Sequence, residues 1–122
     1  MLAQDLAVKG EGEAAIPLAE EAVENCPCAA SHVVLGMAHE SAGDMECAMH
    51  NYLHATQYLR EYWDEVAENQ LPTLKFLGKR LTEDYPELAE VLLRRAIAMA
   101  PEDEEAWESI KTLHIKSLLR TA

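Results

Sequence analysis

A pattern of small and aromatic residues returns every thirty to forty positions along this 122-residue chain. The best copy reads His32, Leu35, Gly36 and His39, a Gly43-Asp44 turn, then Ala48, Tyr52 and Ala55. A second runs Leu74, Leu77, Gly78, Leu81, then Ala89, Leu93, Ala96 and Pro101. An N-terminal copy holds Leu2, Ala3, Leu6, Gly10, Ala15, Ala19, Ala22 and Pro27, and a last half-copy holds Trp107, Ile110 and His114. The spacing is regular: Leu2 to Leu35, Gly10 to Gly43, Ala15 to Ala48 and Leu77 to Ile110 are each 33 positions apart. Leu35 to Leu77 is 42, an insertion of nine that falls in residues 57–69, where Tyr58, Leu59, Tyr62, Trp63 and Val66 recur at helical spacing. Self-similarity at such a period is the mark of stacked helical hairpins, because one hairpin cannot bury its apolar faces alone.

The turn residues divide the chain into seven expected helices, near 1–9, 13–25, 29–42, 45–68, 70–82, 86–100 and 103–120. Gly10 and Gly12 end the first, Pro27 stops the second, and Gly43-Asp44 supplies a turn and a cap. Pro72 fits only the first turn of its helix, and Pro86 and Pro101 mark the next two starts. Pro17 removes one hydrogen bond from the second helix. No strand-like alternation interrupts this. Small residues at Gly36, Ala48, Gly78 and Ala89 let antiparallel helices approach closely, while Leu35, Tyr52, Leu77 and Leu93 fill the flanks.

At these residues the chain resembles the tetratricopeptide repeat family. That family's code is an aromatic, Leu-Gly and an aromatic on the first helix, then Ala, an aromatic and Ala on the second, closing with Pro. Leu35-Gly36, Ala48, Tyr52 and Ala55 match it in one copy; Leu77-Gly78, Ala89, Ala96 and Pro101 match it in the next, and Trp107 fills the aromatic slot of a closing helix. His32, His39 and His114 stand in aromatic slots, and Arg60 stands where a Pro would close the second copy. The resemblance implies an all-α helical-hairpin solenoid, a right-handed superhelix of about three repeats plus a C-terminal capping helix. As one domain over 1–122, its repeats would span about 1–28, 29–69 (with an extended second helix) and 70–102, with the cap at 103–122. Lys111, Lys116 and Arg120 suit that cap, whereas the N-terminal end, lacking the opening residues of its first helix, is expected to be covered by another repeat or subunit.

The family usually holds partners on the concave surface lined by the first helix of each hairpin. Carried onto this chain, the resemblance implies a groove of Val33, Met37 and Glu40, then Lys75 and Lys79, then Glu108 and Thr112. Lys75 and Lys79, four apart on one helix face, could receive a partner's carboxylate or be ordinary surface lysines. Tyr58, Tyr62 and Trp63, on the extended helix, are either an interface or packing for the following repeat.

Other chemistry is sparse. His50 and His54, four apart and with Cys47 or His39 nearby, could be a metal pair, but no Cys-x-x-Cys or His-Glu-x-x-His frame supports them, and no metal or cofactor is expected. The blander reading has His39 and His114 filling the core and His50 and His54 on the surface. Cys26-Pro27-Cys28 could be redox-active, yet Pro27 matches the closing Pro of the repeat, so its cysteines read as flanking a structural loop. There is no phosphate loop, no nucleophile elbow and no carboxylate pair in an apolar context, so an enzyme is not expected.

Charge narrows the partners. The formal charge is −12, and the first 59 residues carry nine acidic groups against Lys9 alone, which argues against nucleic acid or an anionic membrane and favours a basic protein or peptide. No run approaches the roughly 18 apolar residues of a membrane span. Asp5, Glu11 and Glu13 do not suit a secretory leader. Three cysteines suit a reduced, cytoplasmic setting. The expected function is therefore a non-catalytic scaffold, adaptor or chaperone-like module that binds a protein or peptide in its groove. The alternative is structural self-association as a homodimer; a distant third is metal or redox binding through histidine and cysteine.

Overall fold

The structure, a computed structural model, describes residues 2–121, and all regular structure among them is helical. Seven α-helices follow one another: α1 (Leu2–Val8), α2 (Gly12–Asn25), α3 (Ala29–Ser41), α4 (Met45–Glu61), α5 (Leu71–Arg80), α6 (Pro86–Met99) and α7 (Glu104–Thr121). They form two compact units that divide between Glu65 and Val66.

In the first unit, consecutive helices pack together and α1 also touches α3. α3 thus meets α1, α2 and α4, which is why residues on most of its circumference, Ser31 to Val34, Gly36 and Ala38, are buried. α4 shows one buried stripe, Ala48, Asn51, Tyr52, Ala55, Thr56 and Leu59, at helical spacing. Tyr52 is fully enclosed, and a Cβ added at Gly36 would lie 2.5 Å from its ring and 3.1 Å from the Ala48 carbonyl oxygen. The small residues are therefore required where the two helices cross.

Gly12 has a role that the sequence did not disclose. Rather than ending α1 with Gly10, it opens α2, where a Cβ would meet the backbone of Ala38 in α3 and of Ala42 just after it, both at 2.5 Å. The turn before α4 needs Gly43, whose φ of 88° lies in the left-handed region. Asp44 then caps α4, its Oδ1 accepting from the Cys47 amide at 3.0 Å.

The extended helix expected to reach residue 68 is not formed. α4 ends at Glu61, and the chain passes through two short 3-10 turns, Trp63–Glu65 and Glu68–Gln70. Glu61, Asp64 and Glu65 would crowd negative charge onto the carbonyl end of a longer helix, where it is disfavoured. Gln70 closes the second turn by accepting the Ala67 amide at 3.1 Å, and Pro72 sits in the first turn of α5, as its fixed φ requires.

In the second unit, α6 packs against α5 and α7, and α5 also touches α7. α5 and the residue after it bury Leu74, Leu77 and Leu81 completely, α6 buries Leu92, Leu93 and Ala96 completely, and α7 adds Ala106, Ile110 and Leu113 at spacings of four and three. A Cβ at Gly78 would lie 2.6 Å from Leu93 Cγ, so the close approach recurs here, against an aliphatic side chain. α7 is less of a polar cap than the sequence suggests: beside its basic residues, Ile115, Leu118 and Leu119 are 58%, 69% and 72% exposed.

Candidate functional site

Helical spacing builds one groove within the second unit. Glu105, Ser109, Thr112 and Lys116 follow one another by three or four residues, with Glu108 beside Ser109 and one turn from Glu105 and Thr112, which sets all five along one face of α7. Lys79, on α5, and Thr82, just after it, form the facing wall. Together these seven residues line an open groove of about 300 Å³. Of the groove residues the resemblance implies, Lys79, Glu108 and Thr112 lie together there; Thr82, Glu105, Ser109 and Lys116 were not among them. The α7 members were legible from their spacing, but the sequence did not say that Thr82 would face them.

The walls are held by ion pairs. Lys75 Nζ lies 2.8 Å from Asp103 Oδ2 and 3.4 Å from Glu105 Oε2, and Lys79 lies 3.6 Å from Glu105. Asp103 also accepts the Ala106 amide at 3.2 Å, so one carboxylate caps α7 and ties it to α5. The Lys75 hydrogen bond holds the Asp103 carboxyl below its ordinary value, and the same bond raises Lys75. Lys75 is thus engaged within the unit, while Lys79, 61% exposed, faces outward. At the far end Lys116 donates to Glu83 at 2.7 Å, lowering its carboxyl, and Arg120 donates to the Glu83 carbonyl at 3.0 Å. The Thr82 hydroxyl is spent on the backbone carbonyls of Gly78 and Lys79, and Thr112 donates to the Glu108 carbonyl at 2.9 Å. The groove therefore offers an exposed ammonium, carboxylates and hydroxyl oxygens on a braced frame.

The remaining groove residues implied by the sequence belong to internal packing of the first unit. Val33 is 8% exposed on a helix covered by three others, so it cannot present itself to a partner. Met37 is half-buried against a cluster of Ala3, Ala7, Ala15, Ala19, Val34 and Ala38. Glu40 is half-buried and accepts the Tyr52 hydroxyl at 3.1 Å.

The aromatic trio separates. Tyr58 stacks on His32 with ring centroids 5.3 Å apart, Trp63 is half-buried in a 3-10 turn, and Tyr62 is 54% exposed. The histidines also redistribute. His32 is buried, and its ring lies 5.2 Å from that of His54, which in turn lies 4.8 Å from His50. Burial presses the His32 imidazole below its ordinary value; a hydrogen bond with Asn51 opposes this, and repulsion from His54 and His50 adds to it. His114, read as a core residue, is instead exposed and pairs at 2.7 Å with Glu90 on the surface of α6.

Cys26-Pro27-Cys28 is a helix entry. Cys28 precedes α3 and donates its amide to Ser31 Oγ at 3.1 Å, and the Ser31 hydroxyl returns to the Cys26 carbonyl at 2.9 Å. Burial disfavours the Cys28 thiolate, but hydrogen bonds involving Ser31, Cys26 and the Ala30 backbone together outweigh it and hold the thiol below its ordinary value. No helix among the described residues is long and apolar enough to cross a membrane. No family model, curated protein or solved structure matches the chain.

Proposed function

We propose that this chain is a non-catalytic interaction module of tetratricopeptide-like design, and that a peptide segment of a protein partner lies along the groove between α5 and α7. The groove itself carries this reading. Its exposed Lys79 can take a carboxylate, Glu108 a basic side chain, and the Ser109 and Thr112 oxygens backbone amides of an extended segment. Helix neighbours packed in sequence, with first helices also touching (α1 with α3, α5 with α7), suit a hairpin array within each unit, and the Gly36 and Gly78 crossings suit the family's Leu-Gly positions. The acidic balance of the chain would speed encounter with a basic partner, an effect that salt weakens.

The test is selection from a peptide library by the wild-type chain and by Lys79→Glu. Lys75 is left intact because it braces the groove. The expected result is that wild type selects peptides with an acidic position and the variant replaces it with a basic one. Identical selections and affinities would remove the groove from the account.

A second reading, self-association, is carried by α7. Ile115, Leu118 and Leu119 form an exposed apolar strip at spacings of three and one, and such strips mark contact surfaces. It predicts a concentration-dependent mass by sedimentation, reduced to monomer by Leu119→Glu. A monomer at every concentration would rule it out.

A further inference from the structure

The turn between α3 and α4 brings three different metal-ligating side chains together: His39 on the last turn of α3, Asp44 at the cap of α4, and Cys47 in its first turn. One donor atom from each, an imidazole nitrogen, a carboxylate oxygen and the thiol sulfur, all lie within 4.8 Å of one another. The residues are five and three apart in sequence and are folded onto one another by Gly43, whose left-handed backbone reverses the chain. The sequence pairs His50 with His54 as candidate ligands; the fold sets His54 between His50 and His32 and gives His39 other company.

We propose that His39, Asp44 and Cys47 form a three-ligand site for a zinc-class divalent transition ion, with the fourth position open to solvent. Nitrogen, oxygen and thiolate sulfur in a tetrahedral set suit such an ion, whereas calcium and magnesium prefer oxygen alone. At bond lengths of about 2.0–2.3 Å, tetrahedral donors lie about 3.3–3.8 Å apart. Reaching that spacing asks for side-chain rotation at a turn whose two helix ends are held together by the Asp44 cap and by the Asp44 amide donating to the His39 carbonyl at 2.8 Å.

The surroundings favour a cation. One carboxylate oxygen of Asp44 caps the helix, and a carboxylate has a second for the ion. Asp44 and Glu46 set negative charge beside the thiol, and the carbonyl end of α3 offsets the amide end of α4. Binding replaces the thiol proton with the ion: the S–H bond breaks, a sulfur–metal bond forms, and the proton leaves to water. No oxidation or reduction is involved.

The metal alone tests this on the full chain, stripped of ions and kept reduced. Cobalt(II) should bind with one equivalent giving a thiolate-to-metal absorption band, and zinc(II) should displace it. Cys26→Ser/Cys28→Ser should keep the band, and Cys47→Ser should abolish it. His39→Gln should weaken cobalt at least about tenfold, and Asp44→Asn, which preserves the cap, should weaken it too. If His39→Gln fails to fold, Asp44→Asn carries the test alone. The proposal is overturned if no band forms, if it survives Cys47→Ser, if it vanishes in Cys26→Ser/Cys28→Ser, or if Asp44→Asn leaves the affinity unchanged.

Discussion

The two units use the same helix-crossing device and surround it with opposite materials. Beside Gly36 the first unit encloses an aromatic ring, Tyr52, and buries polar groups: Ser31, His32, Asn51 and Thr56. Beside Gly78 the second unit sets Leu93 within an almost wholly aliphatic core of Leu74, Leu77, Leu81, Leu92 and Ala96. The charges of the second unit are paired across its surface, Lys75 with Asp103 and Lys116 with Glu83. A small residue thus fixes how closely two helices approach, and its neighbours decide what chemistry the crossing carries. The first unit places a titrating group, His32, in its core; the second keeps its charges paired at the rim.

The largest expected effect comes from the crossings. Leu93→Ala should cost the second unit about 2–5 kcal/mol. Gly36→Ala should cost about 3 kcal/mol and Gly78→Ala less, because Gly36 faces an enclosed ring and a backbone carbonyl whereas Gly78 faces only atoms of the buried Leu93 side chain. Urea melts give these values, and a double-mutant cycle sharpens them: Gly78→Ala should cost less in a Leu93→Ala background. Equal costs at both glycines would erase the contrast drawn here.

A smaller effect separates the units by pH. Since the folded His32 has a lowered pKa, the unfolded chain binds its proton at higher pH than the folded chain does. Stability is therefore complete above the ordinary histidine value of about 6.5 and falls as pH drops below it. Thermal melts between pH 7 and 5 should show this decline, flattened in His32→Phe, while His114→Gln, which alters only a surface pair, should keep it. An unchanged slope in His32→Phe would contradict the assignment.

The smallest effect lies at the rim. Asp103→Asn retains the α7 cap but loses the pairing to Lys75, so it should lower the melting temperature slightly at low salt and leave it unchanged at high salt. Salt-independent loss would mean that the capping bond, rather than the ion pair, had been damaged.

The sequence carried the helical class and six of the seven helix extents to within a few residues, because glycine and proline act locally on the backbone. It overextended α4, since helical spacing of Tyr58, Tyr62 and Trp63 says nothing about carboxylates crowding a helix end. Lys79, Glu108 and Thr112 came only from the family resemblance, and the structure sets them along one groove. Val33 was not readable as buried, because α3 is covered by α1 as well as by its hairpin partners, and that contact joins residues far apart in sequence. Gly12 escaped for the same reason: its neighbour is the α3 backbone. The His39, Asp44 and Cys47 grouping follows no metal-binding frame, since two helix ends and a left-handed glycine bring it together.

Proton–proton contacts at the glycines test the helix crossings most directly. In a nuclear Overhauser spectrum of the labelled chain, a Gly36 α-proton should contact the Tyr52 ring and a Gly78 α-proton the Leu93 methyls. Absence of both contacts in a folded, helical sample would contradict the packing on which the groove and the turn site stand.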